Sequence, residues 1–140
     1  DGWNQVTSEL ALERSGPERF LSTFPLLAEL IRLAGPQPGE RVAVEVGKLV
    51  AQLWTLRRLS LGVAGALDAG EDQSDQAALV KDLGTRFENR VIEVARLFGP
   101  GSVTFDRLLR QAVLAAPGFT LRGGSSEILR GIVARSLGGR

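Results

Sequence analysis

The chain has 140 residues, a length typical of one domain, and 44% of them are hydrophobic, which is enough to build a globular core. Its 17 basic and 16 acidic residues give a net charge of +1, which offers no support for a nucleic-acid partner. It has no Cys and no His, which excludes cysteine nucleophiles, thiolate or imidazole metal sites, histidine acid–base chemistry and disulfides.

The first segment has helical periodicity with one expected break. Proline removes a backbone donor and disfavours a helical residue before it, so Ser15-Gly16-Pro17 predicts a kink or a short interruption. The segment GPQPG at residues 35–39 ends this part. Its apolar residues recur at steps of three and four, as expected of a helix packed on a core; they are Trp3, Val6, Leu10, Leu12, Phe20, Leu21, Phe24, Leu27, Leu30 and Ile31.

Two long helices are predicted next, over residues 40–69 and 74–98, the later one with Ser74 or Asp75 as its N-cap. A shorter helix is expected at residues 105–115, followed by a break at Pro117-Gly118 and a last helix. No segment alternates with a period of two over a useful length, and no apolar run is long enough for a membrane span. The sequence therefore predicts an all-α fold, an up-and-down four-helix bundle with an additional short C-terminal helix.

The segment LRGGSSEILRGIVARSLGG at residues 121–139 allows two interpretations. In the first, Ser125 or Ser126 caps an ordinary surface helix and Arg130 and Arg135 are solvated. Its buried face is then formed by Ile128, Leu129, Ile132, Val133 and Leu137. In the second, the two glycines let a ligand approach the backbone, and the hydroxyls and free amides bind an anionic or hydrogen-bonding group. Both stay open on these residues alone.

The segment TLRGGSSEILRGIVARSLG closely resembles the C-terminal signature of acyl-CoA dehydrogenases, a Gly-Gly-Thr-Asn/Ser-Glu-Ile stretch followed by an arginine-bearing helix. The opening DGWNQVTSELALERSG is similar to the start of that family's C-terminal bundle. Residues 53–57 and 78–81 are similar to two helices of its subunit interface. The resemblance implies the helical C-terminal domain of an FAD enzyme that converts an acyl-CoA to an enoyl-CoA. Because the chain begins at Asp1 and contains no Met, we expect a longer parent with an N-terminal helical domain and a central β domain.

The resemblance also implies a catalytic base. Family members use a Glu either just before the Gly-Thr of the signature or on the first helix of this domain. The first position is Gly123 here, and the second matches Glu13, with Arg14 as a neighbouring orienting group. Such a base removes the proton alpha to the thioester carbonyl and needs a dry cavity that raises its pKa. The alternative is that Glu13 is a solvated carboxylate on a helix surface.

The cofactor and partners implied by the resemblance are FAD, an acyl-CoA substrate, an electron-acceptor protein and further subunits. The residues that match the cofactor contacts are Gly123, Gly124, Ser125 and Glu127. No metal is implied, and a cytoplasmic location is expected. Trp54, Leu53 and Leu56, with the apolar faces of the second and third helices, predict self-association.

Two segments depart from the family pattern. Many family members carry an Arg-x-x-x-Gly or Arg-x-x-Phe-Gly turn after the first helix, and many have a Gln before a Gly-Gly-x-Gly loop, both near a flavin. This chain has IRLAG at residues 31–35 and LFGPGS at residues 97–102. These departures leave an alternative open, a non-catalytic subunit that pairs with a different, related subunit. A helical protein-interaction domain is the third possibility.

Overall fold

The computed structural model describes residues 2–98 and 101–138, and within them it contains α-helices and one 3-10 turn but no strand, which confirms the all-α prediction. The side chains of Trp3 and Phe98 and the Gly99-Pro100 part of a predicted turn lie outside the described residues. The helices are α1 Gly2–Ser15, α2 Phe24–Ala34, α3 Glu40–Asp68, α4 Ser74–Phe98, α5 Val103–Leu121 and α6 Ser126–Ser136, with the 3-10 turn at Pro17–Arg19 between α1 and α2.

Helix α4 is the centre of the bundle and packs against each of the other five helices. It begins at Ser74, as predicted, but the capping group is the Asp72 carboxylate. That carboxylate accepts hydrogen bonds from the Ser74 amide at 3.0 Å and from the Ser74 hydroxyl at 2.6 Å. Most of the apolar residues of α4 are buried, and they form the middle of the core: Ala77, Val80, Phe87, Val91, Val94 and Ala95.

The break predicted at Pro17 is confirmed, and it brings the chain directly onto α4. The Arg19 carbonyl of the 3-10 turn lies so close to Gly84 that a Cβ added at Gly84 would be 2.5 Å from its oxygen. Real Cβ contacts are not this short, so only glycine lets the turn approach α4 at this point. This contact fixes where α1 ends relative to α4.

The predicted break at Pro117 is wrong, because α5 continues through Pro117 to Leu121. The lost amide of Pro117 removes only one helical hydrogen bond. Tertiary contacts hold the following turn, since Phe119 is 3% exposed and its carbonyl accepts hydrogen bonds from Lys81 and Thr85. The Arg122 amide also bonds to the Gly118 carbonyl at 3.1 Å.

Helix α3 buries one stripe and exposes another. Leu49, Leu56 and Val63 recur every seven residues and are at most 4% exposed. Trp54 and Leu61 lie away from this stripe and are 63% and 57% exposed. Among the helices of the described residues, none has the length and apolar character that crossing a membrane requires.

Candidate functional site

The end of α1 contacts the glycine loop, by which we mean residues 122–125 between α5 and α6. The Arg14 side chain donates a hydrogen bond from Nε to the Gly123 carbonyl at 2.8 Å. Burial lowers the pKa of the Arg14 guanidinium, and the neighbouring Glu13 charge opposes that change. The structure therefore places two of the predicted site segments, separated by more than a hundred residues of sequence, in direct contact.

The two glycines of this loop are needed for its backbone conformation. Gly123 has a φ of 71° and Gly124 a φ of 116°, values that residues with a side chain rarely adopt. A Cβ at Gly123 would lie 3.4 Å from Lys81 Cε and 3.7 Å from Arg14 Cγ. Gly123 is thus packed between two basic side chains of the protein. This packing is a reason for glycine at this position in addition to the close approach of a ligand that the sequence suggested.

A buried lysine lies beneath the loop. Lys81 is 1% exposed, and its ammonium donates hydrogen bonds to the Thr85 hydroxyl at 2.5 Å and to the Phe119 carbonyl at 2.6 Å. The Thr85 hydroxyl donates in turn to the same carbonyl at 3.0 Å. Burial, together with the nearby guanidinium groups of Arg122 and Arg19, lowers the pKa of Lys81 to about 8, while the carboxylates of Glu88 and Asp82 oppose the shift.

A buried carboxylate lies further along α4. Glu88 is fully buried and ion-pairs with Arg122, whose Nη2 lies 2.7 Å and 3.0 Å from its two oxygens. It also accepts a hydrogen bond from the Ser22 amide at 3.1 Å. Burial raises the pKa of Glu88, while the Ser22 and Arg122 hydrogen bonds oppose the shift. Arg122 also stacks on the Phe119 ring, with 4.9 Å between its Cζ and the ring centroid.

The predicted base is partly accessible and already has a charged partner. The Glu13 side chain is 43% exposed, and its Oε1 lies 2.7 Å from Nη2 of Arg19. Arg19 is only 9% exposed at its side chain, and its Nε donates to the Glu13 backbone carbonyl at 2.7 Å. Glu13 thus neutralises a nearly buried guanidinium, a role that the sequence did not indicate.

The start of α6 places a hydroxyl group beside a carboxylate. Ser125 is the N-cap residue, as the first interpretation predicted, but its hydroxyl makes no hydrogen bond to the α6 backbone. Hydrogen bonds from the Glu127 backbone amide and from the Ser125 hydroxyl lower the pKa of the Glu127 carboxyl. A carboxylate beside a hydroxyl can bind the hydroxyl groups of a ligand, whereas a phosphate would be repelled by Glu127.

The predicted buried face of α6 is only partly right. Leu129 is 1% exposed, whereas Ile128 and Leu137 are 57% and 82% exposed. Arg130 and Arg135 are exposed, as the first interpretation predicted, although Arg130 Nε also lies 3.4 Å from the Asp82 carboxylate of α4. The helix lies on α4 through a narrower stripe than its apolar residues suggest.

The two segments that depart from the family pattern meet in space. Arg32, near the end of α2, is ion-paired to Glu29, with Nε and Oε2 2.7 Å apart. The Ser102 hydroxyl at the start of α5 donates to the same Glu29 at 3.3 Å and caps α5 by accepting from the Phe105 amide. Hydrogen bonds from Arg32 keep the pKa of Glu29 below its usual value.

A groove of about 570 Å³ lies between α3 and α4, away from the glycine loop. It is lined by Ala51, Gln52, Thr55, Leu56, Leu83, Arg86, Phe87 and Arg90. None of these residues belongs to α1, to the loop or to α6. The volume is that of a small-molecule pocket, but the predicted catalytic and cofactor residues do not line it.

Sequence reasoning overlooked the buried polar residues of α4. Ala77, Lys81, Gly84, Glu88, Val91 and Ala95 follow steps of four and three, the spacing of one helix face. Lys81 and Glu88 therefore lie in the stripe that also contains the apolar residues of the core. Charged residues in such a stripe are the signal that could have indicated buried, paired groups before the structure was known.

The fold defines an all-α domain whose candidate site joins the end of its first helix to a glycine-rich turn before its last helix. The chain matches the family described as acyl-CoA dehydrogenase, C-terminal domain, over residues 38–138, most of its length, and it belongs to that family. The match includes the glycine loop and α6, whereas Glu13 and Arg14 precede it. Neither a comparison with curated proteins nor one with solved structures gave a match.

Proposed function

We propose that this chain is the C-terminal helical domain of an FAD-dependent acyl-CoA dehydrogenase, with Glu13 as the base and the glycine loop beside the cofactor. Family membership gives the general kind of function. The observation that carries the proposal is the hydrogen bond from Arg14 to the Gly123 carbonyl, because it brings the two candidate segments together. In this proposal the rest of the substrate and flavin site lies in other domains of the longer parent. We also propose that the parent is a cytoplasmic protein.

In the proposed reaction Glu13 accepts the proton from the carbon alpha to the thioester carbonyl. The electron pair of that C–H bond becomes the new carbon–carbon double bond, and the beta hydrogen departs with its own pair as hydride. FAD, when bound, supplies the acceptor for this hydride. Arg14 orients the loop from beneath, and Ser125 and Glu127 bind hydroxyl groups of the cofactor.

One observation favours a second candidate, a non-catalytic subunit that completes the site of a related partner. Glu13 is bound to Arg19 at 2.7 Å and is partly exposed, so in this chain the carboxylate is engaged with a cation. To act as a base, Glu13 must face a dry cavity, which here would have to come from the parent's other domains. If those domains leave the ion pair intact, Glu13 is structural.

The proposal is tested on the purified full-length parent. We expect an absorption band near about 450 nm from bound oxidised flavin, bleached when an acyl-CoA is added. Glu13→Gln keeps the size and removes the proton acceptor, so flavin should remain bound while its reduction slows by about a hundredfold or more. Stopped-flow absorbance measures this rate.

The matched control is Glu9→Gln, which alters an exposed carboxylate one turn earlier on α1. This variant should reduce flavin at the wild-type rate. If Glu13→Gln also reduces flavin at the wild-type rate, the base lies elsewhere and the partner-subunit candidate is favoured. A parent that never shows a flavin band rejects the enzyme proposal.

A further inference from the structure

We propose that Lys81 is a positioning residue that holds the glycine loop in its folded conformation. The site residues suggested by sequence lie on α1, the loop and α6, whereas Lys81 lies on α4, the helix against which α1, α5 and α6 pack. It contacts the loop on the side that packs against the core. Its importance for catalysis rests on the proposed function, but its effect on the loop does not.

The Lys81 ammonium binds the last turn of α5, the turn that leads into the loop. Its hydrogen bond to the Phe119 carbonyl, at 2.6 Å, connects α4 to the last turn of α5. Carbonyls in the last turn of a helix have no helical amide partner, so the Lys81 ammonium supplies a donor that α5 itself cannot. A charged donor in a dry environment makes a stronger hydrogen bond than a neutral one.

The stem of Lys81 forms the floor under Gly123. A Cβ built on Gly123 would meet Lys81 Cε at 3.4 Å and Cδ at 3.7 Å, and Arg14 Cγ at 3.7 Å. Arg14 fixes the carbonyl of the same residue at 2.8 Å. Gly123 is therefore held by a side chain from α4 and a side chain from α1. Lys81 thus contacts the loop twice, through its stem at Gly123 and through its ammonium at the end of α5, where the loop begins.

The local geometry offers variants that keep the fold. In Lys81→Met the stem remains, and the Phe119 carbonyl keeps its 3.0 Å hydrogen bond from Thr85. Thr85→Val removes that hydroxyl, and the double variant removes both donors. The matched control is Lys48→Met, since Lys48 is the other lysine of the chain and lies exposed on α3, paired with Glu45 at 2.9 Å.

Hydrogen–deuterium exchange on the 140-residue chain measures loop order without any cofactor. We expect Lys81→Met to raise exchange at the hydrogen-bonded amides of the loop, those of Arg122 and Gly124, by roughly tenfold to a hundredfold, because a charged hydrogen bond is lost. The amides of α4 around Val91 should change much less, and Lys48→Met should change neither. The double variant should exceed the sum of the two single effects, since Thr85 partly compensates for Lys81.

Two results overturn the proposal. In the first, the loop amides of Lys81→Met and of the double variant exchange at the wild-type rate. The other is an equal rise in the loop and throughout α4, which would mean that Lys81 stabilises the whole bundle and positions nothing in particular. Retained far-UV circular dichroism shows that each variant is folded, and Lys81→Gln, which also removes the charge but stays polar, provides the same comparison if Lys81→Met does not fold.

The consequence for the enzyme is measured separately, by titrating FAD into the flavin-free parent. The apparent FAD dissociation constant rises by the reciprocal of the fraction of molecules whose loop is ordered, so Lys81→Met should raise it about tenfold if exchange shows that the loop is ordered in only about a tenth of molecules. Unchanged affinity together with raised loop exchange contradicts a role at the cofactor. If the wild-type parent binds no FAD, the proposed function fails, while the exchange experiment still decides the role of Lys81.

Discussion

Lys81 and Glu88 lie two turns apart on the buried side of α4, and each has a specific set of partners. Lys81 bonds to neutral oxygens of Thr85 and Phe119, whereas Glu88 is paired with Arg122. This difference sets the cost of burying each charge, because a neutral partner compensates a buried charge less than an opposite charge does. The pKa of Lys81 is accordingly lowered by burial, and this has a consequence for stability.

We predict that the free energy of unfolding rises with pH between about 8 and 10.5, the folded and unfolded pKa values of Lys81. In this window the unfolded chain still holds the proton and the folded chain has lost it, so deprotonation favours folding. Below pH 8 both states are protonated and the cost of burying the charge is at its largest. The full effect is roughly 3 kcal/mol, at about 1.4 kcal/mol for each pKa unit.

Urea unfolding at several pH values measures this effect, with Lys81→Met as the reference that lacks it. The chain suits the experiment because it has no Cys, His or Tyr, so the two lysines are its only side chains expected to titrate there. The charges facing Lys81 are those of Arg19, Arg122, Glu88 and Asp82. A difference between wild type and Lys81→Met that stays constant from pH 7.5 to 10 would contradict the prediction.

A second residue-level prediction concerns the stability of Glu13→Gln. Arg19 is nearly buried, and the substitution removes its carboxylate partner at 2.7 Å, leaving the hydrogen bond to the Glu13 carbonyl and Glu18 at 3.8 Å. We expect a loss of about 1 kcal/mol or less, because Glu13 is 43% exposed and solvent screens the pair. Thermal unfolding should show Glu9→Gln unchanged; equal melting temperatures for both variants would argue that the pair contributes nothing.

At the scale of elements, the glycines inside the helices differ in how closely other parts of the chain approach them. Gly84 of α4 touches the Arg19 carbonyl, whereas a Cβ at Gly62 of α3 would meet nothing within 4 Å. We predict that Gly84→Ala destabilises the bundle by about 1–3 kcal/mol, because backbone would have to move. Gly62→Ala, by contrast, should stabilise it by up to about 1 kcal/mol through helix propensity. Urea unfolding of both variants checks the pair, and shifts of the same sign would contradict it.

The helices were predictable where the signal is local. The break at Pro17 follows from the chemistry of proline, and the ends of α3 and α4 follow from glycine-rich and acidic connections. Pro117 shows the limit, because the turn after it is held by Lys81 and Thr85 from another helix. No local sequence pattern reports a hydrogen bond donor that arrives from more than thirty residues away.

The same limit applies to the site. The segments around Glu13 and Gly123 were found because they resemble a family signature, and the structure adds that Arg14 joins them. The pairing of Glu13 with Arg19 depends on the turn at Pro17–Arg19, whose close approach to Gly84 is a tertiary contact. Side-chain partners of this kind depend on how the helices pack, and the order of residue types along the chain does not reveal that packing.

At the scale of the whole molecule, α3 has more apolar surface than its own bundle covers. Residues on its outer side are exposed by 46% to 63%: Val44, Val50, Trp54 and Leu61. Leu56, which the sequence also suggested for association, is 3% exposed and belongs to the core. In the α4 segment at residues 78–81, Ala78, Val80 and Lys81 are buried within this chain, and only Leu79 is exposed.

We predict that the chain self-associates through this outer side of α3. Trp54 is the largest exposed side chain there, with Arg57 over its ring at 5.8 Å, and the groove between α3 and α4 begins beside it at Ala51 and Thr55. An aromatic residue next to a groove is the arrangement that anchors protein interfaces. Sedimentation of the wild type at high micromolar concentration should show a dimer or a larger species.

Trp54→Glu should shift that equilibrium to the monomer, because it removes the aromatic ring and places a charge that must be desolvated at the centre of an apolar contact. The substitution lies at an exposed position, so thermal unfolding of the monomer should change little. Leu114→Glu on α5 is the matched control, since Leu114 is 82% exposed but lies on a different helix; this variant should associate as the wild type does. If the wild type is monomeric at these concentrations, or if Leu114→Glu dissociates it and Trp54→Glu does not, then α3 is not the surface that brings two copies together.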